Sequence, residues 1–87
     1  MASNDLHNLL ILRLELQRAV AHFASSNQQS AASIQPWNCS ASSVSDAWNA
    51  FASSDNIDAL EEWLAAERSN GQSTEWTEKA IEAAKMT

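Results

Sequence analysis

The sequence of 87 residues contains a single cysteine, a single glycine and a single proline. One cysteine excludes an internal disulfide, and Cys39 has no second cysteine or histidine near it in the sequence to form a metal site. With Gly71 as the only glycine, a glycine-rich phosphate-binding loop is absent as well. We therefore expect no cofactor and no metal.

Long apolar runs are also missing. No stretch approaches the roughly 18 to 20 consecutive apolar residues that a membrane-spanning helix needs. The most apolar stretch, residues 9–16, is interrupted by Arg13 and Glu15 and preceded by Asp5, which is unlike the core of a secretory signal. The expectation is a cytoplasmic protein with no membrane partner.

Basic side chains are few, and the acidic excess is unevenly placed. Five basic residues stand against 11 acidic ones, for a net charge of −6. Residues 1–43 are neutral overall, so residues 44–87 carry the whole excess. Direct binding of nucleic acid through its phosphates needs clustered Lys and Arg and is not expected. The charge favours another protein with a basic surface as the partner.

The apolar spacing predicts an all-α fold in a single domain, residues 1–87, with a long helix over residues 4–24. Its strong helix formers outweigh the alternation of leucines that would suggest a strand. At 100° per residue, one broad apolar face emerges. Its members are Leu6, Leu9, Leu12, Leu16, Ala19, Val20 and Phe23.

A second apolar stripe lies outside that face of the long helix. Ile11 and Leu14 form it, flanked by His7 and Arg18 at helical spacing. A second helix of the same fold, a twin subunit or a foreign target are the alternatives for covering it. A homodimer through the N-terminal helix is one of these alternatives.

The rest of the chain divides into a loop and an acidic three-helix unit. Residues 25–43 are rich in Ser and Gln, lack any hydrophobic period and are predicted to be a loop. Residues 44–87 contain three short helical patterns, and Asn70-Gly71 is a stop signal for the second of them. The predicted bundle therefore has one long and three short helices.

Acidic side chains recur at helical spacing on the second and third short helices. This predicts two acidic ridges that contact a partner: Asp55, Asp58, Glu61 and Glu62, then Glu75, Glu78 and Glu82. In one interpretation they imitate a phosphate backbone and occupy a basic nucleic-acid-binding groove of the partner. In the other they are solvated faces that keep the protein soluble. The same acidity argues against a helix-turn-helix DNA reader.

Tryptophan is unusually frequent, with one in each segment after the long helix: Trp37, Trp48, Trp63 and Trp76. Core packing is the simplest role for the helical ones. Because Trp is enriched at binding hot spots, these four are also candidate partner-binding residues. Trp37, beside Pro36, is the one expected to be most exposed.

Catalysis has little support in the sequence. His7 and His22 lie about 22 Å apart if both are on one helix, so they cannot share a metal ion or act as a pair. Neither histidine is close to Cys39 in the sequence. We therefore expect no enzymatic activity and no catalytic residues.

The expected function is that of a small acidic protein that binds and inhibits or neutralises another macromolecule. An inhibitor, an antitoxin-like neutraliser and a virus-encoded antagonist all fit this description. The alternative is a structural subunit or adaptor of a larger assembly, in which neighbouring chains would bury Ile11, Leu14 and the loop.

Overall fold

The described chain is built from α-helices. The computed structural model describes the backbone of residues 2–86 and the side chains of residues 5–86. Over these residues there are four α-helices and no strand, which confirms the all-α prediction. The helices are α1 (Ala2–Ser26), α2 (Ser42–Phe51), α3 (Ile57–Ser69) and α4 (Glu75–Lys85). The longest is the N-terminal one, as predicted.

Helix α1 buries the apolar face that its spacing predicts. Leu9 and Leu16 are completely buried, and Val20 is 2% exposed. The remaining members of the face are half-buried and pack against this core: Leu6, Leu12, Ala19 and Phe23. Burying a Leu or Val side chain stabilises a fold by about 1.5 to 3 kcal/mol, so this face is a large part of what holds α1 in place.

The three short helices supply the other side of the core. Their buried residues are Val44, Trp48 and Phe51 of α2, Ala59 and Leu60 of α3, and Ala80, Ile81 and Ala84 of α4. Helix α1 packs mainly against α2 and α3, and α4 packs against α3. The long helix therefore lies across a unit formed by the other three.

The segment between α1 and α2 contains short helical turns. They are two 3₁₀ turns, Ala31–Ser33 and Pro36–Asn38, and Ile34 between them is 7% exposed. Ser30 caps the first turn, since its Oγ accepts a hydrogen bond from the backbone N–H of Ala32 at 3.3 Å. Such short turns use local hydrogen bonds and leave no hydrophobic period in the sequence. The loop predicted over residues 25–43 therefore includes these two turns, and α1 and α2 extend into its ends.

Helix α1 ends in a Schellman motif. The N–H of Gln29 donates to the carbonyl of Ala24 at 2.8 Å, and that of Gln28 donates to the carbonyl of Ser25 at 3.3 Å. Gln28 has a φ of 56°, the left-handed conformation that this motif needs. A Cβ atom makes that conformation unfavourable for every residue except glycine.

Helix α3 ends in the same way but with the preferred residue. Gly71 has a φ of 68°. The N–H of Gln72 donates to the carbonyl of Glu67 at 2.9 Å, and the N–H of Gly71 donates to that of Arg68 at 3.2 Å. The stop predicted at Asn70-Gly71 is confirmed.

We predict that Gln28→Gly raises the free energy of unfolding by about 0.5 to 1 kcal/mol, because it removes the Cβ from a left-handed position. The matched change Gly71→Ala should lower it by about 1 kcal/mol for the same reason. Urea unfolding followed by circular dichroism measures both values. Equal signs for the two variants would contradict this account of the helix ends.

Candidate functional site

A largely buried arginine, whose side chain is 15% exposed, contacts residues of the other three helices. Arg13 occupies a position on the apolar face of α1, between Leu9 and Leu16. Its guanidinium carbon lies 5.0 Å from the ring centre of Trp76, 5.6 Å from that of Phe51 and 6.0 Å from that of Trp63. Each distance is within the range of a cation–π interaction. Rings from α2, α3 and α4 therefore surround one charge from α1.

Glu67 of α3 is the ionic partner of Arg13. The Nη2 of Arg13 lies 3.8 Å from the Oε2 of Glu67, whose residue is only 4% exposed. The Nη1 of Arg13 also donates to the hydroxyl of Thr77 in α4 at 3.3 Å. Burial lowers the pKa of Arg13, and the negative charge of Glu67 opposes that shift. One cation thus links α1 to α3 and α4 by polar contacts.

The ion pair does not use all of its hydrogen-bonding atoms. The Nε of Arg13 and the Oε1 of Glu67 are buried and have no hydrogen-bond partner within the described structure. A side-on pair with two parallel hydrogen bonds would use both atoms, but here the carboxylate approaches through one oxygen at 3.8 Å. The site therefore retains one donor and one acceptor.

A groove runs between α1 and α3 beside this pair, with a volume of about 610 Å³. We call it the α1–α3 groove. Its walls are mainly apolar and are formed by Leu6, His7 and Leu10 of α1 and by Glu62, Trp63 and Ala66 of α3. Glu67 and Gln72 complete its lining. The groove thus combines apolar walls with a carboxylate at its edge and another among its lining residues.

The groove continues towards α4. An adjoining depression of about 390 Å³ shares part of the lining and adds Arg13, Gln17 and Ser73. Both buried members of the ion pair therefore line one continuous surface feature. Sequence reasoning did not identify either of them as a site residue.

A signal for the pair was present in the sequence. Arg13 falls at the i+4 position from Leu9 on the apolar face, and Glu67 falls at the i+7 position from Leu60 and the i+4 position from Trp63. A single charge of each sign, each on the apolar face of its helix, indicates a buried pair. Counting only apolar positions overlooks it.

The first predicted ridge is exposed, and three of its four acids lie on α3. Asp58, Glu61 and Glu62 belong to that helix and are exposed. Asp55 is exposed too, but it belongs to a 3₁₀ turn, Ser54–Asn56, in which its N–H donates to the hydroxyl oxygen of Ser53 at 3.2 Å. Asp55 therefore precedes α3 instead of lying on it.

The acids of α4 are exposed and partly neutralised. Glu78 lies 3.9 Å from Arg68 and accepts a hydrogen bond from the hydroxyl of Thr74. Glu75, Glu78 and Glu82 line a shallow depression that also contains Lys79. The exposed acids of α3, which are Asp58, Glu61 and Glu62, form no salt bridge within the described residues. Negative charge is thus least compensated on the exposed surface of α3.

The tryptophans divide between the core and the ion pair. Trp48 is 6% exposed and lies 5.6 Å from the ring of Trp37, so it has little surface left to offer a partner. Trp37 is half-buried, with the Lys79 ammonium 5.8 Å from its ring centre, so it is partly exposed. Trp63 and Trp76 are half-buried beside Arg13. Of the four, only Trp63 lines the α1–α3 groove.

The second stripe of α1 is open to solvent. Ile11 is 44% exposed and Leu14 is 50% exposed. Leu10, which the sequence analysis did not assign to either face, is 42% exposed and also lines the α1–α3 groove. We call these three residues the α1 stripe.

Cys39 is half-buried in a pocket of about 320 Å³ whose lining contains no histidine. Across residues 5–86 no group of three or more His, Cys, Asp or Glu side chains is placed to hold a metal ion. No helix within residues 2–86 has the length and apolar character needed to cross a bilayer.

We predict strong coupling between Arg13 and Glu67. Arg13→Met and Glu67→Gln should each lower the free energy of unfolding by about 3 kcal/mol, because each leaves a buried charge without its partner. The loss in free energy of unfolding in the double variant should be smaller than the sum of the two single losses, and the difference should exceed about 1 kcal/mol. Urea unfolding of the four proteins measures this difference.

The control for that cycle is the exposed pair of Arg68 and Glu78. Arg68→Met should change the free energy of unfolding by less than about 1 kcal/mol. Additive effects at Arg13 and Glu67 would show that the two side chains do not act together.

Comparison of this chain with protein-family models, with curated proteins and with solved structures finds no match. The features available for assigning a role are the α1–α3 groove, the α1 stripe and the acidic surface of α3. All three lie on or between α1 and α3.

Proposed function

We propose that this protein is a non-enzymatic binding protein that attaches to a basic surface of another protein and blocks it. The observation that carries the proposal is the uncompensated acidic surface of α3, which presents Asp58, Glu61 and Glu62 to solvent without a salt bridge among the described residues. When such carboxylates bind a partner's cations, they do not first have to break a salt bridge within their own protein, so no free energy of binding is spent on that step.

The electrostatics favour association with a cationic partner. The chain has a net charge of −6, and α3 has no basic residue before Arg68 near its end. A concentrated negative surface accelerates encounter with a positive one and disfavours negatively charged partners. A partner's basic nucleic-acid-binding groove is one such surface, and occupying it would inhibit the partner.

The α1 stripe supports attachment through apolar contacts as well. Leu10, Ile11 and Leu14 are each more than 40% exposed, although they lie on a helix whose opposite face is buried. Adjacent large apolar side chains on a surface often mark an interaction site. Charge alone gives rapid but weak binding, and burial of these side chains would lengthen the lifetime of the complex.

The second candidate function is a structural subunit or adaptor of a larger assembly. The α1 stripe favours it equally, since neighbouring chains would cover Ile11 and Leu14. A subunit of this kind would associate with itself or aggregate when isolated, whereas a free-standing inhibitor would have a defined small mass. Light scattering after size exclusion separates the two.

We predict that removing three negative charges from α3 weakens partner binding. The partner is captured from an extract of the cells of origin, identified and purified. The variant Asp58→Asn, Glu61→Gln, Glu62→Gln should weaken its affinity at least about tenfold, and rising salt should weaken wild-type binding. Calorimetry measures both effects.

The matched control removes three negative charges elsewhere, by Asp46→Asn, Glu75→Gln and Glu82→Gln. It should weaken binding less than the α3 variant does. Equal losses would mean that only net charge matters, and affinity that is independent of salt would contradict the electrostatic proposal.

We predict that Ile11→Asp with Leu14→Asp eliminates self-association or partner binding and leaves the helix content unchanged, because both side chains are exposed. Light scattering, binding assays and circular dichroism measure these properties. Assembly and binding identical to those of the wild type would show that the α1 stripe is an ordinary surface.

A further inference from the structure

We propose that the α1–α3 groove receives an amphipathic helical segment of the partner protein. The segment has a large aliphatic or aromatic side chain about one turn away from a Lys or Arg. This inference rests on the proposed function and specifies the part of the partner that is recognised.

The shape and lining of the groove account for the apolar side chain. Its volume of about 610 Å³ lies within the range of pockets that enclose compact ligands. Leu6, Leu10, Trp63 and Ala66 provide apolar walls on both sides. A groove between two helices with such walls is a known receptor for the apolar face of a third helix.

The unpartnered carboxylate oxygen of Glu67 is the reason to expect a hydrogen-bond donor on the segment. Its residue is 4% exposed, and its Oε1 has no partner within the described structure, although its Oε2 faces Arg13. A buried acceptor without a hydrogen bond costs about 1 to 3 kcal/mol. A donor from a bound segment that reaches this carboxylate would remove that cost on binding.

The edge of the groove makes the donor a cation rather than a neutral amide. Glu62 is exposed at the groove, and Glu61 and Asp58 lie on the same helix without a salt bridge among the described residues. Among the residues that line the groove, Glu62 and Glu67 are carboxylates and none is a Lys or Arg. Lys or Arg is therefore favoured there over Asp or Glu.

The test uses a synthetic probe. It is a peptide of about 18 residues made of Leu, Lys and Ala, since shorter isolated helices are marginal in water, with Leu on one face and Lys beside it. One comparison peptide replaces each Lys by Glu, and another replaces each Leu by Ser. Amide and indole chemical shifts of the full-length protein report where each peptide binds.

The Leu/Lys peptide should shift the signals of Leu10, Ala66 and the Trp63 indole, and both comparison peptides should bind at least about tenfold more weakly. Shifts confined to residues outside the groove would overturn the proposal. Equal binding of the Ser/Lys peptide would overturn it too, because attraction would then not involve the apolar walls.

Matched variants test the position of the site. Ala66→Arg places bulk and positive charge in the groove, whereas Ala65→Arg places the same side chain on α3 outside it, and both residues are exposed. Only Ala66→Arg should weaken peptide binding at least about tenfold. In the same way, Glu62→Lys should weaken it more than Glu61→Lys. Equal losses within either pair would overturn the placement.

The purified partner separates this inference from the proposed function. Binding lost with Ala66→Arg and kept with Ala65→Arg supports both. Binding kept with Ala66→Arg but lost with the triple α3 variant leaves the proposed function standing and overturns the groove. Binding kept with the triple variant overturns the proposed function. Self-association that Ala66→Arg abolishes would make a second copy of this chain the occupant and overturn a foreign segment.

Discussion

One largely buried cation, Arg13, links all four helices and constrains how they pack. Arg13 of α1 is surrounded by rings from the other three helices and pairs with Glu67 at 3.8 Å. Desolvating a charge is costly unless its surroundings compensate for it, so the three rings, the carboxylate and the Thr77 hydroxyl have to stay close to it. A set of apolar side chains would tolerate several packings, whereas a charge with directional partners tolerates few. In a domain of 87 residues, where the core is small, this contact does much to define how α1 lies across the others.

The same contact determines where the surface has binding potential. Arg13 and Glu67 line a depression that adjoins the α1–α3 groove, and Glu67 lines the groove as well. Glu62 of α3 borders this groove without a salt bridge among the described residues, while the acids of α4 lie near Lys79 and Arg68. Apolar walls and negative charge therefore coincide on one side of the molecule. Neither the acidic surface nor the α1 stripe alone would indicate a defined partner, but their proximity specifies one that is both apolar and basic.

Much of the fold was predictable, because periodicity reports burial directly. The apolar face of α1 and the end of α3 at Gly71 follow from local rules and agree with the structure. The two 3₁₀ turns between α1 and α2 were not predictable in this way, since three-residue turns have no hydrophobic period. Trp37, expected to be the most exposed tryptophan because it lies beside Pro36 in the loop, is half-buried. Its contact with the ring of Trp48 in α2 was not predictable from local spacing, because it depends on how the segment folds back on α2.

The sequence by itself determined the helical class, the faces that the helices bury and the concentration of acidic residues in the second half. These properties depend on residues that are three or four positions apart, within reach of a local rule. Only the tertiary structure decided that Arg13 meets Glu67, that Leu10 lies at a groove and that the acids of α4 are partly neutralised while the exposed acids of α3 are not. Each of these facts depends on which face of one helix packs against which face of another. That choice is made by packing and desolvation over the whole chain, and no short window of sequence contains it.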